Sequence, residues 1–184
     1  MNDNYLHFKK CISAEMLNRR KFTWRRVMHR YWSLPNKRFY LWWRLAELFF
    51  SEDGATSKWA ARYLNRKIMK NFNTEIGLGA KIAPGFKVVH FQGVVITDCC
   101  NIGENFTIRQ NTTIGIKGET SAMISIGNNV TVGANSCILA DKINIGDNVV
   151  IGAMSFIGKD IPPNTTVYTE KTNKLIYNTN SQIK

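Results

Sequence analysis

From residue 76 onward an aliphatic side chain recurs every six residues: Ile76, Ile82 and Val88, then Ile96, Ile102, Ile108 and Ile114, then Ile126, Val132 and Ile138, then Ile145, Ile151 and Ile157. All thirteen positions are Ile or Val, and glycine follows eight of them: Gly77, Gly103, Gly115, Gly127, Gly133, Gly146, Gly152 and Gly158. A second small or apolar series stands four places after the first: Ala80, Phe86, Phe106, Thr112, Val130, Ser136, Val149 and Ser155. A period of six matches neither the 3.6 of a helix nor the 2 of a single strand. It fits a short strand followed by a turn, with one side chain per face pointing inward. Three such faces close a triangular coil, and stacked coils bury a continuous column of Ile and Val while backbone ladders join one coil to the next. Glycine after the inward residue suits the tight corners. A β-sandwich, the ordinary alternative, spaces its strands irregularly at roughly 8–12 residues.

The register breaks three times, and breaks in a solenoid hold loops. Val88 to Ile96 is two residues too long and Ile138 to Ile145 one too long. Between Ile114 and Ile126 the expected position falls on Thr120, inside the polar run Lys117-Gly118-Glu119-Thr120-Ser121, which reads as a loop leaving the coil. Ile161-Pro162-Pro163-Asn164 is expected to end the column, because proline cannot donate to a further ladder.

The first 74 residues are a different material. Residues 1–70 hold 16 of the 25 Lys and Arg but only 5 of the 13 acidic residues, a net +11 out of the chain's +12, and all five tryptophans lie there. Segments 14–32, 38–50 and 55–72 have helical spacing, separated by Ser33-Leu34-Pro35-Asn36 and Ser51-Glu52-Asp53-Gly54. The reading is thus a mainly β chain: a basic, aromatic helical region over 1–74, a β-helix over 75–168 and a tail over 169–184. Asp3, His7, Lys9 and Lys10 interrupt any apolar core that a signal peptide would need. The most apolar window, Phe39–Phe50, is shorter than the ~20 residues a membrane span requires and contains Arg44 and Glu47. The chain reads as cytoplasmic. Arg25, Arg26, Arg30, Lys37, Arg38 and Arg44, interleaved with Trp24, Trp32, Trp42 and Trp43, either meet an anionic membrane surface or belong to a helical cap whose aromatics pack on the first coil and whose charges face water. The four cysteines show no zinc spacing, so no metal site is expected, and they read as reduced packing residues.

Of three histidines, His7 and His29 lie in the basic helical region. His90 lies inside the repeat, in Val88-Val89-His90-Phe91-Gln92-Gly93, at the first register break. On spacing alone it is either a structural histidine or a general base.

Residues 75–170 resemble the hexapeptide-repeat acyltransferases, in the serine acetyltransferase branch. EIGLGAKIAPGFKVVHFQGVVI is similar to that family's segment around its catalytic histidine. NFTIRQNTTIG, IGNNVTVGANSCIL and IGDNVVIGAMSFIGKDIPPNT are more similar to the colanic acid and capsular polysaccharide acetyltransferases of the same branch. The resemblance implies a left-handed parallel β-helix, a homotrimer with its active site between neighbouring columns, and acetyl-CoA as co-substrate. It places His90 on the catalytic histidine and Glu75, fifteen residues earlier, where the family has the aspartate that orients the ring. It lays the pantetheine arm past Gly115, Gly133-Ala134 and Gly152-Ala153, with Lys117 and Lys171 as candidate phosphate partners. Corner geometry and solvated surface are the plain alternatives for those glycines and lysines.

The departures bear on the acceptor. The serine enzymes carry an aspartate just before the catalytic histidine and an Arg-His pair in the acceptor loop. Here Val89 stands in the first place, and Gly118–Ser125 holds neither Arg nor His. A neutral sugar hydroxyl of a bacterial surface polysaccharide or its precursor fits such a site better than a zwitterion does. Arg109, Gln110 and Asn111, one hexad before Gly115, are candidate sugar contacts, with outward-facing coil positions as the alternative. Serine or another small metabolite is the second acceptor. A non-catalytic binder of anionic surfaces is a third reading, which leaves His90 and Glu75 without a role. No groove-reading motif or stacking platform is present, so no nucleic-acid partner is expected.

Overall fold

The computed structural model describes residues 3–118, 123–170 and 172. Four helices, α1 (Asp3–Glu15), α2 (Trp24–Ser33), α3 (Lys37–Phe50) and α4 (Ala55–Phe72), precede a parallel β-solenoid. Its first coil runs through β1 (Thr74–Ile76), β2 (Lys81–Ile82) and β3 (Lys87–Val88), and its second through β4 (Val94–Ile96), β5 (Cys100–Ile102) and β6 (Thr107–Ile108). The third has β7 (Thr113–Gly115), β8 (Met123–Ile126) and β9 (Thr131–Val132), and the fourth β10 (Cys137–Leu139), β11 (Lys142–Ile145) and β12 (Val150–Ile151). A last coil holds β13 (Phe156–Ile157), a bridge from Ile161 to Ile145, and β14 (Thr166–Val167). Every third strand pairs in parallel, giving a first sheet β1-β4-β7-β10-β13, a second β2-β5-β8-β11 and a third β3-β6-β9-β12-β14. All thirteen Ile and Val positions of the repeat are buried in one core, and so is the series four places later, which Cys100 and Ile124 extend. The four cysteines are free, and burial pushes the Cys100 thiol up to about 12.

Asparagine turns the corners. Three places after an inward residue, Asn105, Asn129, Asn148 and Asn164 all have φ of 57–58°, the left-handed region that asparagine tolerates best after glycine. Their side chains form a ladder along the edge between the second and third sheets. Asn105 Nδ2 donates to Asn129 Oδ1 (3.0 Å), Asn129 to Asn148 (3.0 Å) and Asn148 to Asn164 (2.9 Å), and Arg19 donates to Asn105 Oδ1 at the top (2.9 Å).

The column does not end at the proline pair, as the sequence led us to expect. The coil continues to β14, which pairs with β12. Pro162 and Pro163 align with Gly146 and Asp147 of the coil above, since Ile161 bridges Ile145. In the coils just above, the N–H groups at these two corner positions point down: Gly146 N–H donates to Ile161 O and Asn128 N–H to Asp147 Oδ1. In the last coil the same groups would face no further coil, so proline is tolerated in the turn without breaking a ladder.

The helices cap the first coil. Arg44, fully buried, donates to both carboxylate oxygens of Glu15, to Glu47 and to the carbonyls of Ile82 and Ala83 (2.7 and 3.1 Å). Glu15 accepts in turn from the Phe86 N–H (3.1 Å). Tyr40 Oη bridges the Val88 N–H and C=O, and Asn65 Nδ2 donates to Ile76 O. The exposed edge of each face of the first coil thus meets a helix-borne polar group, as buried backbone polar groups require. Two expectations are corrected. The segment 14–32 is not one helix: α1 ends at Glu15 and Asn18 and Arg19 turn left-handed (φ 53° and 61°) before α2 begins. Nor does Arg44 face water or a membrane: it is buried, and Lys37 is drawn onto Glu15 O (2.7 Å). Among the described residues no helix is long and apolar enough to cross a membrane.

Candidate functional site

The two extra residues of the first register break build the turn 89–93 between β3 and β4, at the edge where the third sheet meets the first. Val89 N–H donates to Ile108 O (3.0 Å), Gly93 N–H to Asn73 O (2.9 Å), and Gln92 O accepts from Asn111 N–H (2.8 Å). Gly93 has φ +68°, and a Cβ there would come within 2.5 Å of Asn111 Oδ1, so glycine is required on both counts. Phe91 turns inward onto Phe39 and Phe72, with ring centroids 4.8 and 4.9 Å away, and its carbonyl accepts from Thr74 Oγ1 (2.6 Å). With its neighbour pinned inside, His90 is left exposed at the edge.

Glu75 is exposed on β1, beside Thr74, so the Thr74–Phe91 bond brings its segment against that of His90. No hydrogen bond or ion pair joins the Glu75 and His90 side chains within the chain. Arg109, Gln110 and Asn111 occupy the same edge one coil down. Arg109 is exposed, and Gln110 Oε1 is buried without a hydrogen-bond partner. Asn111 is less free than the sequence suggests: it is left-handed (φ 53°) and its Nδ2 donates to Asn135 Oδ1 (3.1 Å).

The candidate cofactor residues divide between two edges. Gly133-Ala134 and Gly152-Ala153 continue the His90 edge in the third and fourth coils. Gly115 and Lys117 lie across the first sheet, at its junction with the second. Gly133 has a packing reason to be glycine, since a Cβ would collide with the Ala153 backbone. Gly115 has none: the nearest atom to a Cβ is Leu139 Cδ1 at 3.4 Å, leaving a cradle that a slender ligand could use. The third register break supplies Asp141, whose Oδ1 accepts from the Lys117 and Gly118 N–H groups (2.8 and 3.0 Å) and ties down the start of the loop. Lys171, Glu119, Thr120 and Ser121 lie outside the described residues, and Ser125 belongs to β8 rather than to the loop.

Two hollows lie away from His90. One, about 830 Å³, separates α1 and α3 from the second sheet and contains His7, Glu47 and Lys81. The other, about 690 Å³, is lined by Arg20, Arg25, Arg26, His29 and Arg30 around Leu17, a cluster that sequence reasoning spread over the whole N-terminal region. The i, i+4 pairs Arg25/His29 and Arg26/Arg30 were the signal for it. Among the described residues no group of three His, Cys, Asp or Glu is placed to hold a metal ion.

The six-residue repeat, its parallel solenoid and the helical cap define a hexapeptide-repeat fold. No family profile matches the chain. Its relatives are the serine acetyltransferase family, with a colanic acid enzyme also among the homologues. It is 40% identical over 111 residues to the chloroplastic serine acetyltransferase 1 of Arabidopsis thaliana, covering 59% of this chain and 35% of that one. It is 43% identical over 101 residues to the putative colanic acid biosynthesis acetyltransferase WcaB of Escherichia coli K12, covering 54% and 62%. The chain spans about a third to three-fifths of the length of such relatives. Serine acetyltransferase isoform 3 of Entamoeba histolytica, solved with cysteine, superposes with TM-score 0.71 at 25% identity over 96% of this chain and 62% of that one. The soybean serine acetyltransferase bound to serine superposes with TM-score 0.72 at 25% identity over 90% and 68%.

Proposed function

We propose that the protein is an acetyl-CoA-dependent O-acetyltransferase acting on a sugar hydroxyl of a bacterial surface polysaccharide or its precursor, with His90 as general base. The observation that carries the reading is the exposed His90, held by a turn that the register break exists to make. His90 takes the acceptor proton as the hydroxyl oxygen bonds to the thioester carbonyl carbon; the C–S bond breaks and the thiolate leaves with the proton returned by the imidazolium. Glu75 acts as a positioning residue for the ring, and the Gly115 cradle with Lys117 and Lys171 receives the pantetheine arm and phosphates. Gln110, on the same edge one coil below His90, is a further candidate contact for a sugar hydroxyl. Arg109 lies beside it.

Serine is the second acceptor, favoured by the preponderance of serine acetyltransferases among the relatives. Val89 argues against it, because an apolar residue beside the base cannot neutralise an ammonium. Losing a buried ionic contact costs about 2–5 kcal/mol, so kcat/KM for serine is expected to be at least roughly thirtyfold below that for oligosaccharide repeat units of capsule or exopolysaccharide. A higher value for serine would make this a shortened serine acetyltransferase.

The working unit is a homotrimer. Below Glu75, the outward column of the first sheet, Val95, Thr113, Cys137 and Phe156, is more apolar than Lys81, Asn101, Ser125 and Asn144 on the second, and Phe156 is 61% exposed. That sheet lies between the two edges that carry the candidate site residues, so packing it against a neighbour brings one chain's His90 edge toward another chain's Gly115 edge. Light scattering should give three times 21.0 kDa, about 63 kDa. An active monomer would rule this out.

A further inference from the structure

The arginine groove beside α2 has no counterpart in the chemistry described so far. Arg20, Arg25, Arg26, His29 and Arg30 line a concavity of about 690 Å³ in which no Asp or Glu takes part. Arg26 is held by the Lys21 carbonyl (3.0 Å), whereas the guanidinium groups of Arg20, Arg25 and Arg30 hydrogen-bond to no described residue. The buried Arg44, by contrast, is neutralised by Glu15 and Glu47. The basic character also continues out of the groove. Lys37 is held below its usual pKa, first by burial and then by the charge of Arg30, with Lys87 on β3 adding to it and Glu15 pulling the other way. From Lys87 the chain reaches His90 in three residues, no more than about 11 Å of backbone. The outward column of the third sheet between them and below, Lys87, Thr107 and Thr131, carries no acid.

Arginine rather than lysine dominates the hollow, and its planar fork is matched to phosphate oxygens in pairs. The volume falls in the range of small-molecule sites and exceeds what one phosphate needs. We propose that this groove binds a diphosphate group carried by the glycan acceptor, so that the substrate is a glycosyl diphosphate whose sugars run across the third sheet to His90. The proposal rests on the acceptor being a glycan. Two sources share this chemistry, a soluble nucleotide-linked sugar and a glycan on a membrane carrier lipid. The exposed Trp24, Met28 and Trp32, at i, i+4 and i+8 on α2, flank the groove on its outer side.

The test is a calorimetric titration of the full chain, wild type and Arg25→Gln/Arg30→Gln, with inorganic pyrophosphate, with UDP-glucose, and with a prenyl-diphosphate-linked disaccharide in phosphatidylcholine vesicles. The wild type should bind pyrophosphate at one site per chain, and the double variant should bind it roughly 10- to 100-fold more weakly, with unchanged melting temperature and unchanged acetyl transfer to a free oligosaccharide. Tighter binding of UDP-glucose than of pyrophosphate identifies the nucleotide source, and tighter binding of the prenyl compound identifies the carrier. Pyrophosphate held no better than sulfate overturns the proposal, as does binding to diphosphate-free phosphatidylglycerol vesicles without any to pyrophosphate, which would make the groove a membrane-facing patch. Equal kcat/KM for free and diphosphate-linked glycan overturns it too, while the proposed function stands. If serine is acetylated and glycans are not, the proposed function falls, and the titration, which involves no turnover, still decides whether the groove is a diphosphate site.

Discussion

Replacing His90 by alanine is expected to lower kcat by roughly 10²–10⁴, the usual worth of a positioned general base, while the assembly and acetyl-CoA affinity stay close to wild type. The separation of effects follows from the turn. Its backbone is held by Val89, Gln92 and Gly93, and its anchor in the core is Phe91. His90 itself contributes no hydrogen bond or buried surface that folding depends on. Glu75→Gln should cost less, because the ring and the carboxylate are not bonded within one chain and the amide retains an acceptor oxygen. The measurement is steady-state kinetics with the best glycan acceptor, alongside light scattering and a binding titration with CoA. Near-normal turnover in the His90 variant would remove the base from the mechanism.

Replacing Arg44 by methionine is expected to destabilise the chain by about 3–5 kcal/mol, because it leaves Glu15 in the interior without its counter-charge. The loss reaches beyond the ion pair: Ile82 O and Ala83 O lose their donors, and the cap loosens over the first coil. The cost has a direction in pH. Burial pushes the Glu15 carboxyl above its ordinary pKa, and in the wild type Arg44 pulls against that push. Without Arg44 only the Phe86 N–H still opposes the push. The folded variant then holds its proton more tightly than the unfolded chain does, so its stability falls as pH rises above the unfolded value of about 4.3. Urea midpoints should show a larger deficit at pH 8 than at pH 5. The double variant Glu15→Gln/Arg44→Met should lose this pH dependence and recover part of the stability. A deficit that grows instead toward low pH would mean that Glu15 is not the group responsible.

The solenoid was readable because its physics is local and repeated: each inward position tolerates only a side chain of Ile or Val size, and all thirteen positions proved buried. The asparagine ladder was readable in principle, since Asn105, Asn129, Asn148 and Asn164 each stand three places after an inward residue, where a left-handed turn selects them. The cap was harder. Arg44 in an apolar window reads as a solvated charge, and only the arrival of Glu15, 29 positions away, makes it a core residue. The helix over Asp3–Glu15 was missed because its charges were weighed only as interruptions of an apolar run. His90 could be located from the register break, yet its relation to Gly115 and Lys117 could not, because they lie on opposite edges of the first sheet and one column cannot bring them together.

The two ends of the column have a consequence for how such molecules associate. A stack of parallel coils ends in rows of unpaired backbone groups, and any other stack could extend them into a filament. Here the upper row is taken by Arg44, Tyr40, Asn65 and Glu15, and at the lower end Pro162 and Pro163 delete two of the donors on which a further coil would build. Stacking along the axis thus meets fewer free backbone groups at both ends of the described column, which leaves the flat sheet faces as the surfaces better suited to contact between copies.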